Sequence, residues 1–382
     1  MMIRKGGKMK NFIKRMVLFG VCFLISMVGI CFGAADVPAI RDAKDPAEKA
    51  RVQGLVEKAQ KEGKLVWTGI MIEPKHAKFI LEGFKDYYGL KALKTEYTYG
   101  QSAQVIAQVE QLVKANRATP DIVWQPAWSW YIDLMKRGLI VRYESPYYKD
   151  YTISNAAGNS KPGYWVSDAY TFHPMWNAGA VVKAGFKNFN PKSWWDFVDP
   201  KFGKYTSIGN IAKSTSYTAV SIGLRKALGD EWFKKIAAMK PAAFIKSAQG
   251  RDWCASGEYP IDLLSHAKNA EAAKKTGADI KLLYPKEGVT LLPFAPIILK
   301  GGVNQNAARL FIDYVRSVPG TNRVAASEVG ILFGRPGVKM PPDEYLPPAE
   351  TIKSIPMDWD KEDTTEFARQ FHAWLIDIGL SY

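Results

Sequence analysis

The pattern of apolar and polar positions switches repeatedly between a helical period and short buried runs. Val52 to Glu62 keeps its apolar residues on one helical stripe and is stopped by Gly63, after which Lys64 to Ile72 (KLVWTGIMI) reads as a buried strand. Phe79, Ile80, Phe84 and Tyr87 predict a helix over His76–Tyr88, closed by Gly89. Lys94 to Tyr99 alternates as a strand does. Val105, Ile106, Val109, Leu112 and Val113 share one face of a helix over Gln101–Asn116. A short strand, Ile122–Trp124, and a helix from Trp128 to Lys136 complete a third repeat. Strand–helix repeats of this kind predict a parallel sheet covered on both faces.

Tyr164 to Val182 breaks the rhythm with an extended, aromatic-rich stretch. The alternation then resumes. A strand at Tyr205–Ile208 precedes helices over Ser216–Leu228 and Glu231–Met239. A strand at Pro260–Leu264, a charged helix over Ala267–Thr276 and a strand at Ile280–Leu283 follow. A second extended stretch, Val289–Leu299, leads into a helix over Gln305–Ser317. The Pro-rich segment Lys339–Pro356 is expected to wrap the surface. A last helix, Glu362–Ile378, is expected to dock through Phe367, Phe371 and Trp374. The expected fold class is α/β: two lobes with mostly parallel central sheets, joined by two crossing segments. Residues 36–168 with 295–382 make lobe 1, residues 169–294 make lobe 2, and a ligand cleft lies between them.

The N-terminus changes the setting. Arg4, Lys5, Lys8, Lys10, Lys14 and Arg15 precede an apolar run from Met16 to Phe32, followed by Gly33, Ala34 and Ala35. That order is a secretory signal peptide over residues 1–35, which places the rest in the periplasm. An uncleaved anchor is the alternative, because the apolar run sits at the lower limit of about 17 residues for a membrane span. The formal charge is +15, but six of the 52 basic residues belong to this leader. The remaining lysines are dispersed and form no stripe, so no nucleic-acid partner is expected. A basic surface can gather an anionic ligand or simply aid solubility.

Of three cysteines, Cys22 and Cys31 fall in the leader, which leaves Cys254 as a lone buried thiol with no disulfide partner. His76, His173, His266 and His372 are too scattered for zinc spacing. No metal and no cofactor is expected. The chain has no G-x-S-x-G, no H-E-x-x-H and no G-x-x-x-x-G-K-[ST], so it is not expected to be an enzyme or an ATPase.

Four stretches carry a family resemblance. They are Glu62-Gly63-Lys64-Leu65-Val66; Thr119-Pro120-Asp121-Ile122-Val123-Trp124; Met175 to Gly203, with Trp176-Asn177, Pro191, Ser193-Trp194-Trp195-Asp196-Phe197 and Asp199-Pro200; and Glu287-Gly288 through Ile298 to Gly302, Ala307 to Ile312 and Gly334-Arg335-Pro336-Gly337-Val338. Together they resemble the extracellular solute-binding family that includes ferric-ion, thiamine, phosphonate and sugar-phosphate receptors. The resemblance implies a type II periplasmic-binding fold that closes on a small molecule by hinge rotation. It implies delivery to a membrane permease driven by a separate ATPase, with the receptor acting as a monomer. An exported enzyme or a sensory binding module on the same fold are the rival classes.

Such a fold places its ligand beyond the carboxyl ends of the strands. The candidate residues are therefore those in the strand-to-helix loops. Thr68 and Gly69 follow the first strand, in a turn or a ligand role. Gln101 and Ser102 open a helix, where Ser102 either caps it or meets ligand. Trp128 and Trp130 wall the cleft or pack in the core. Asp168 and Tyr170, in the first crossing segment, bind ligand or steady the hinge. Ser214, Thr215 and Ser216 start the main helix of lobe 2, where the resemblance places the ligand-gripping loop; three hydroxyls there suit an anion. His266 is a loop residue or a ligand contact. Iron-binding members carry adjacent tyrosines near this point, whereas this chain has Leu264-Ser265-His266. A small organic anion or phosphorylated compound is therefore expected ahead of ferric ion.

Overall fold

A computed structural model describes residues 37–327, 330–339, 344–362 and 365–380. The signal peptide expected over residues 1–35 lies outside the described residues. The chain divides at Gln53 and Gly54 into two compact units. The first holds the short helix Pro38–Arg41 and the opening turns of α1 (Pro46–Glu62), where Arg51 Nε meets Glu48 Oε2 at 2.7 Å. The second carries both sheets.

Lobe 1 is built as β1 (Lys64–Gly69), α2 (Pro74–Tyr87), β2 (Lys94–Tyr99), α3 (Ser102–Lys114), β3 (Ile122–Gln125) and α4 (Trp128–Lys136). Its sheet is completed by β4 (Asp168–Tyr170) and by a strand from much later in the chain, β10 (Leu292–Ile298). The order is β2-β1-β3-β10-β4. Lobe 2 contains β5 (His173–Asn177), β6 (Thr206–Gly209), α5 (Thr215–Met239), β7 (Ala242–Phe244), α6 (Ser247–Ser256), β8 (Ile261–Ser265), α7 (Ala267–Lys274) and β9 (Ile280–Leu282). Its order, β7-β6-β8-β5-β9, repeats the pattern of lobe 1. The helices α8 (Gln305–Arg316) and α9 (Val318–Ala326) then return to lobe 1.

The sheets are mostly parallel, as expected, with one reversed strand in each. β1 pairs in parallel with β2 and β3, and β6 with β7 and β8, but β10 and β5 run antiparallel to their neighbours. The hinge explains this. β4 runs toward the cleft and crosses at Thr171–Phe172, so β5 must enter lobe 2 running away from the cleft. β9 and β10 repeat the reversal in the other direction. The crossings therefore fall at residues 171–172 and 283–291.

Lobe 1 is held at its centre by aromatic packing. The Trp67 ring lies 5.1 Å from Phe311, which meets Phe84 edge-on at 5.4 Å. In lobe 2, Trp194 meets Trp232 edge-on at 5.7 Å, and Trp232 Nε1 donates to the Trp194 carbonyl. The two helices expected over Ser216–Leu228 and Glu231–Met239 are the two halves of α5, broken at Gly229, whose φ of 74° suits glycine. Cys254 is a buried free thiol, as expected.

The C-terminal segment departs from its expected place in lobe 1. α10 (Trp359–Glu362) does pack there, with Trp359 against Trp128 and its Nε1 donating to Asn159 Oδ1 at 2.9 Å. But α11 (Thr365–Asp377) lies on α5 of lobe 2. Phe371 and Trp374 meet Phe233 at 5.9 and 5.6 Å, and the Arg225 guanidinium sits 3.7 Å over the Trp374 ring. The apolar stripe was legible, but the surface it covers depended on where α5 presents Phe233.

Candidate functional site

Among the described residues, a cavity of about 530 Å³ opens where the carboxyl ends of both sheets converge. Every helix that directly follows a parallel strand begins at that end of its sheet. Lobe 1 brings α2 through Glu73, Lys75 and His76, and α3 through Gln101 and Ser102. Lobe 2 brings α5 through Ser214 and Ser216, α6 through Lys246, Ser247 and Arg251, and α7 through His266, Lys268 and Asn269. Each terminus presents N–H groups without intrahelical partners and the positive end of a dipole. The walls also carry five cations, Lys75, Lys246, Arg251, Lys268 and Lys275, against two carboxylates, Glu73 and Glu271.

The structure brings six of the nine candidates to this cavity: Gln101, Ser102, Tyr170, Ser214, Ser216 and His266. Ser214 Oγ accepts from the Tyr217 N–H at 3.4 Å and so caps α5. Ser102 is not the cap of α3. That position falls to Gln101, whose N–H is bound by Gln104 Oε1 at 3.3 Å. Ser102 Oγ instead donates to Gln125 Oε1 at 3.2 Å and accepts from Thr215 Oγ1 at 3.2 Å. Thr215 is thus spent on a bond between the lobes and is not part of the wall. A second tie joins them: Lys268 Nζ meets Glu73 Oε1 at 2.8 Å, and this bond holds the Glu73 carboxyl below its usual range.

Thr68 and Trp128 lie elsewhere. Thr68 is buried in the sheet, paired with Thr98 and Val123, because β1 runs one residue beyond it. Trp128 is 4% exposed, packed edge-on against Trp165 at 5.1 Å, with Nε1 donating to Asp360. A tryptophan opening α4 points to the core because α10 covers it. Trp130 Nε1 donates to Glu110 at 2.8 Å, also away from the cavity. Asp168 is a hinge residue: its carboxylate pairs with the buried Arg316 and accepts from Gly334 N–H at 3.1 Å.

His266 sits on the cavity floor under Tyr170 and Phe172, whose ring centres are 5.1 and 5.9 Å away. Its Nδ1 accepts from Asn269 N–H at 3.3 Å, capping α7, which leaves the proton on Nε2 as a donor. Burial, with Lys268 and neighbouring cationic or imidazole groups, pushes its pKa down to about 3. His266 is thus neutral across the physiological range. Tyr217 also lines the cavity, and its buried hydroxyl has no hydrogen-bond partner among the described residues.

The sequence reading missed β7 and α6, and with them Ile245, Lys246 and Arg251. The strand is only three residues, and α6 carries Gly250 where a periodic apolar residue would have marked it. That glycine is forced by packing, since a Cβ there would lie 2.3 Å from the Phe244 ring.

Asp262, below the floor on β8, is fully buried and accepts the Leu264 N–H at 3.1 Å through Oδ1. Burial raises its pKa to about 7. The folded state therefore keeps a proton that the unfolded chain releases above about pH 4. This contribution to stability is full in acid and lost as pH rises to about 7. Asp262→Asn should consequently gain on the parent by about 2 kcal/mol between pH 5 and pH 8, measured by urea unfolding. A difference that does not change with pH would show the carboxyl to be ionised throughout.

Two α/β lobes sharing one cleft, with reversing strands at the hinge, define the type II periplasmic-binding fold, a receptor architecture. The sequence profile of the family described as bacterial extracellular solute-binding protein matches residues 77–327, and the chain belongs to that family. An uncharacterized protein of Haemophilus influenzae is 26% identical over 298 residues, covering 76% of this chain and 84% of that one. The periplasmic binding protein AfuA of Actinobacillus pleuropneumoniae, solved with fructose-6-phosphate, superposes with a TM-score of 0.65 at 19% identity, over 83% of this chain and 99% of AfuA. Iron-bound HitA of Pseudomonas aeruginosa gives 0.62 at 16% identity, over 83% and 99%. The protein is thus an extracellular solute-binding protein by family, and its likeness to the solved neighbours shows the same fold. No helix among the described residues is long and apolar enough to cross a membrane.

Proposed function

We propose that the protein is the periplasmic receptor of an ABC importer for a small organic anion, phosphorylated or carboxylated. It captures the anion in the cleft and hands it as a monomer to a separate permease and ATPase. The observation that carries this reading is the convergence of five helix N-termini with Lys246, Arg251 and Ser216 on one cavity. One terminus contributes only about 0.3–1 kcal/mol to an anion, while micromolar binding needs about 8 kcal/mol, so both lobes must contribute. A ligand touching both lobes stabilises the closed form and shifts the population toward it.

Ferric ion is the competing cargo, since the solved neighbour HitA is iron-bound. It requires anionic oxygen ligands. Here the cavity tyrosines Tyr99, Tyr170 and Tyr217 all have pKa values raised, chiefly by burial, which favours the neutral phenol. Glu73 is already paired with Lys268. The walls favour an anion over a trivalent cation.

A thermal-shift screen of the leaderless protein against organic phosphates, carboxylates and ferric citrate tests the reading. Organic anions should raise the midpoint, and Arg251→Met with Ser216→Ala should weaken their binding at least tenfold while the unliganded midpoint stays put. Stabilisation by ferric ion alone would overturn the assignment.

A further inference from the structure

The cavity is not uniformly polar, and its apolar part has a definite place. Counting from the hinge, the sheet of lobe 1 ends at β2 and that of lobe 2 ends at β7. These two strands hold equivalent positions, at the edge farthest from the crossings. Each delivers one bulky side chain to the mouth of the cavity: Tyr99, the last residue of β2, and Ile245, the first residue after β7. Tyr99 is 50% exposed and Ile245 59% exposed, although both lie on cavity walls otherwise rich in cations and hydroxyls. Large apolar side chains left uncovered at a cavity mouth, on both walls at once, mark a surface that a ligand covers.

The size of the space agrees. Glu73–Lys268 and Ser102–Thr215 already join the lobes, yet about 530 Å³ remains between them. A single water needs only ~10–15 Å³ of such volume, and cavities of ~300–1,000 Å³ accommodate whole organic molecules. A bare inorganic anion would leave most of this space, and both apolar side chains, without contact.

Resting on the anion-receptor reading, we infer that the cargo carries an apolar or aromatic body clasped between Tyr99 and Ile245, and that these two residues set specificity for it. A polyhydroxylated body would have to bury its hydroxyls against an isoleucine and a tyrosine ring face, leaving them unpaired.

Isothermal titration of the leaderless protein with phenyl phosphate, glycerol 3-phosphate and inorganic phosphate tests this. Phenyl phosphate should bind at least tenfold more tightly than glycerol 3-phosphate, and inorganic phosphate most weakly. Tyr99→Ala and Ile245→Ser should each cut that preference to threefold or less, with thermal midpoints confirming that both variants fold. Equal affinity for the two organic phosphates, or a preference that survives both substitutions, would overturn the inference and leave the anion reading standing. Failure of all three phosphates and of their carboxylate counterparts, phenylacetate and lactate, would overturn both.

Discussion

Asp121→Ala should destabilise the protein by about 3 kcal/mol or more, a shift in urea midpoint large enough to threaten folding at about 37 °C. The Asp121 carboxylate is fully buried and accepts three N–H groups: Val66 N at 2.7 Å, Asn304 N at 2.8 Å and Asn304 Nδ2 at 2.9 Å. It thereby ties β1 to the residue that precedes α8, across most of the sequence. Gly302 permits the approach, since a Cβ there would fall 2.6 Å from the Asp121 Cα. Alanine would leave three buried donors without acceptors, at roughly 1–3 kcal/mol each before relaxation. The Asp121→Asn variant, which keeps one acceptor oxygen, should lose less. Loss below about 1 kcal/mol in the alanine variant would mean that water replaces the carboxylate.

Arg316→Met should cost about 3–5 kcal/mol, because it leaves a buried carboxylate without its counter-charge. Arg316 is fully buried at the end of α8, paired with Asp168 and lying 5.5 and 5.2 Å from the Trp124 and Tyr151 ring centres. Asp168 begins β4, two residues before the last residue ahead of the first crossing, so the pair fixes the root of the hinge. Burial raises the Asp168 pKa despite the guanidinium, as expected where desolvation is severe. Adding Asp168→Leu to Arg316→Met should recover much of the loss, since a paired charge in the core costs its own desolvation. If the double variant is no more stable than the single, the defect is lost packing around Arg316 and not the orphaned charge.

These two residues show what the sequence could and could not convey. Asp121 stood out as part of Thr119-Pro120-Asp121, but nothing local says that its partners are Val66 and Asn304. Strand and helix periods gave most of the elements, because an amphipathic stripe such as that of α3 is a local property. Three-residue β7 and glycine-bearing α6 left no period to read, so Lys246, Arg251 and Ile245 went unseen. Trp128 was misleading for the opposite reason: an aromatic at a strand-to-helix turn suits a cleft wall or a core equally. Only α10, arriving from far along the chain, decides that it is covered. Ser102 and Thr215 were singled out as potential ligand groups, and the structure shows a bond to each other that no single-chain pattern encodes.

The tail of the chain lies astride both halves of the molecule, α10 on one and α11 on the other. Removing it would strip cover from two separate surfaces in a single cut, baring Trp128 on one side and Phe233 on the other. Either half expressed alone, without this tail, would carry an open greasy scar where its neighbour's last turns belong.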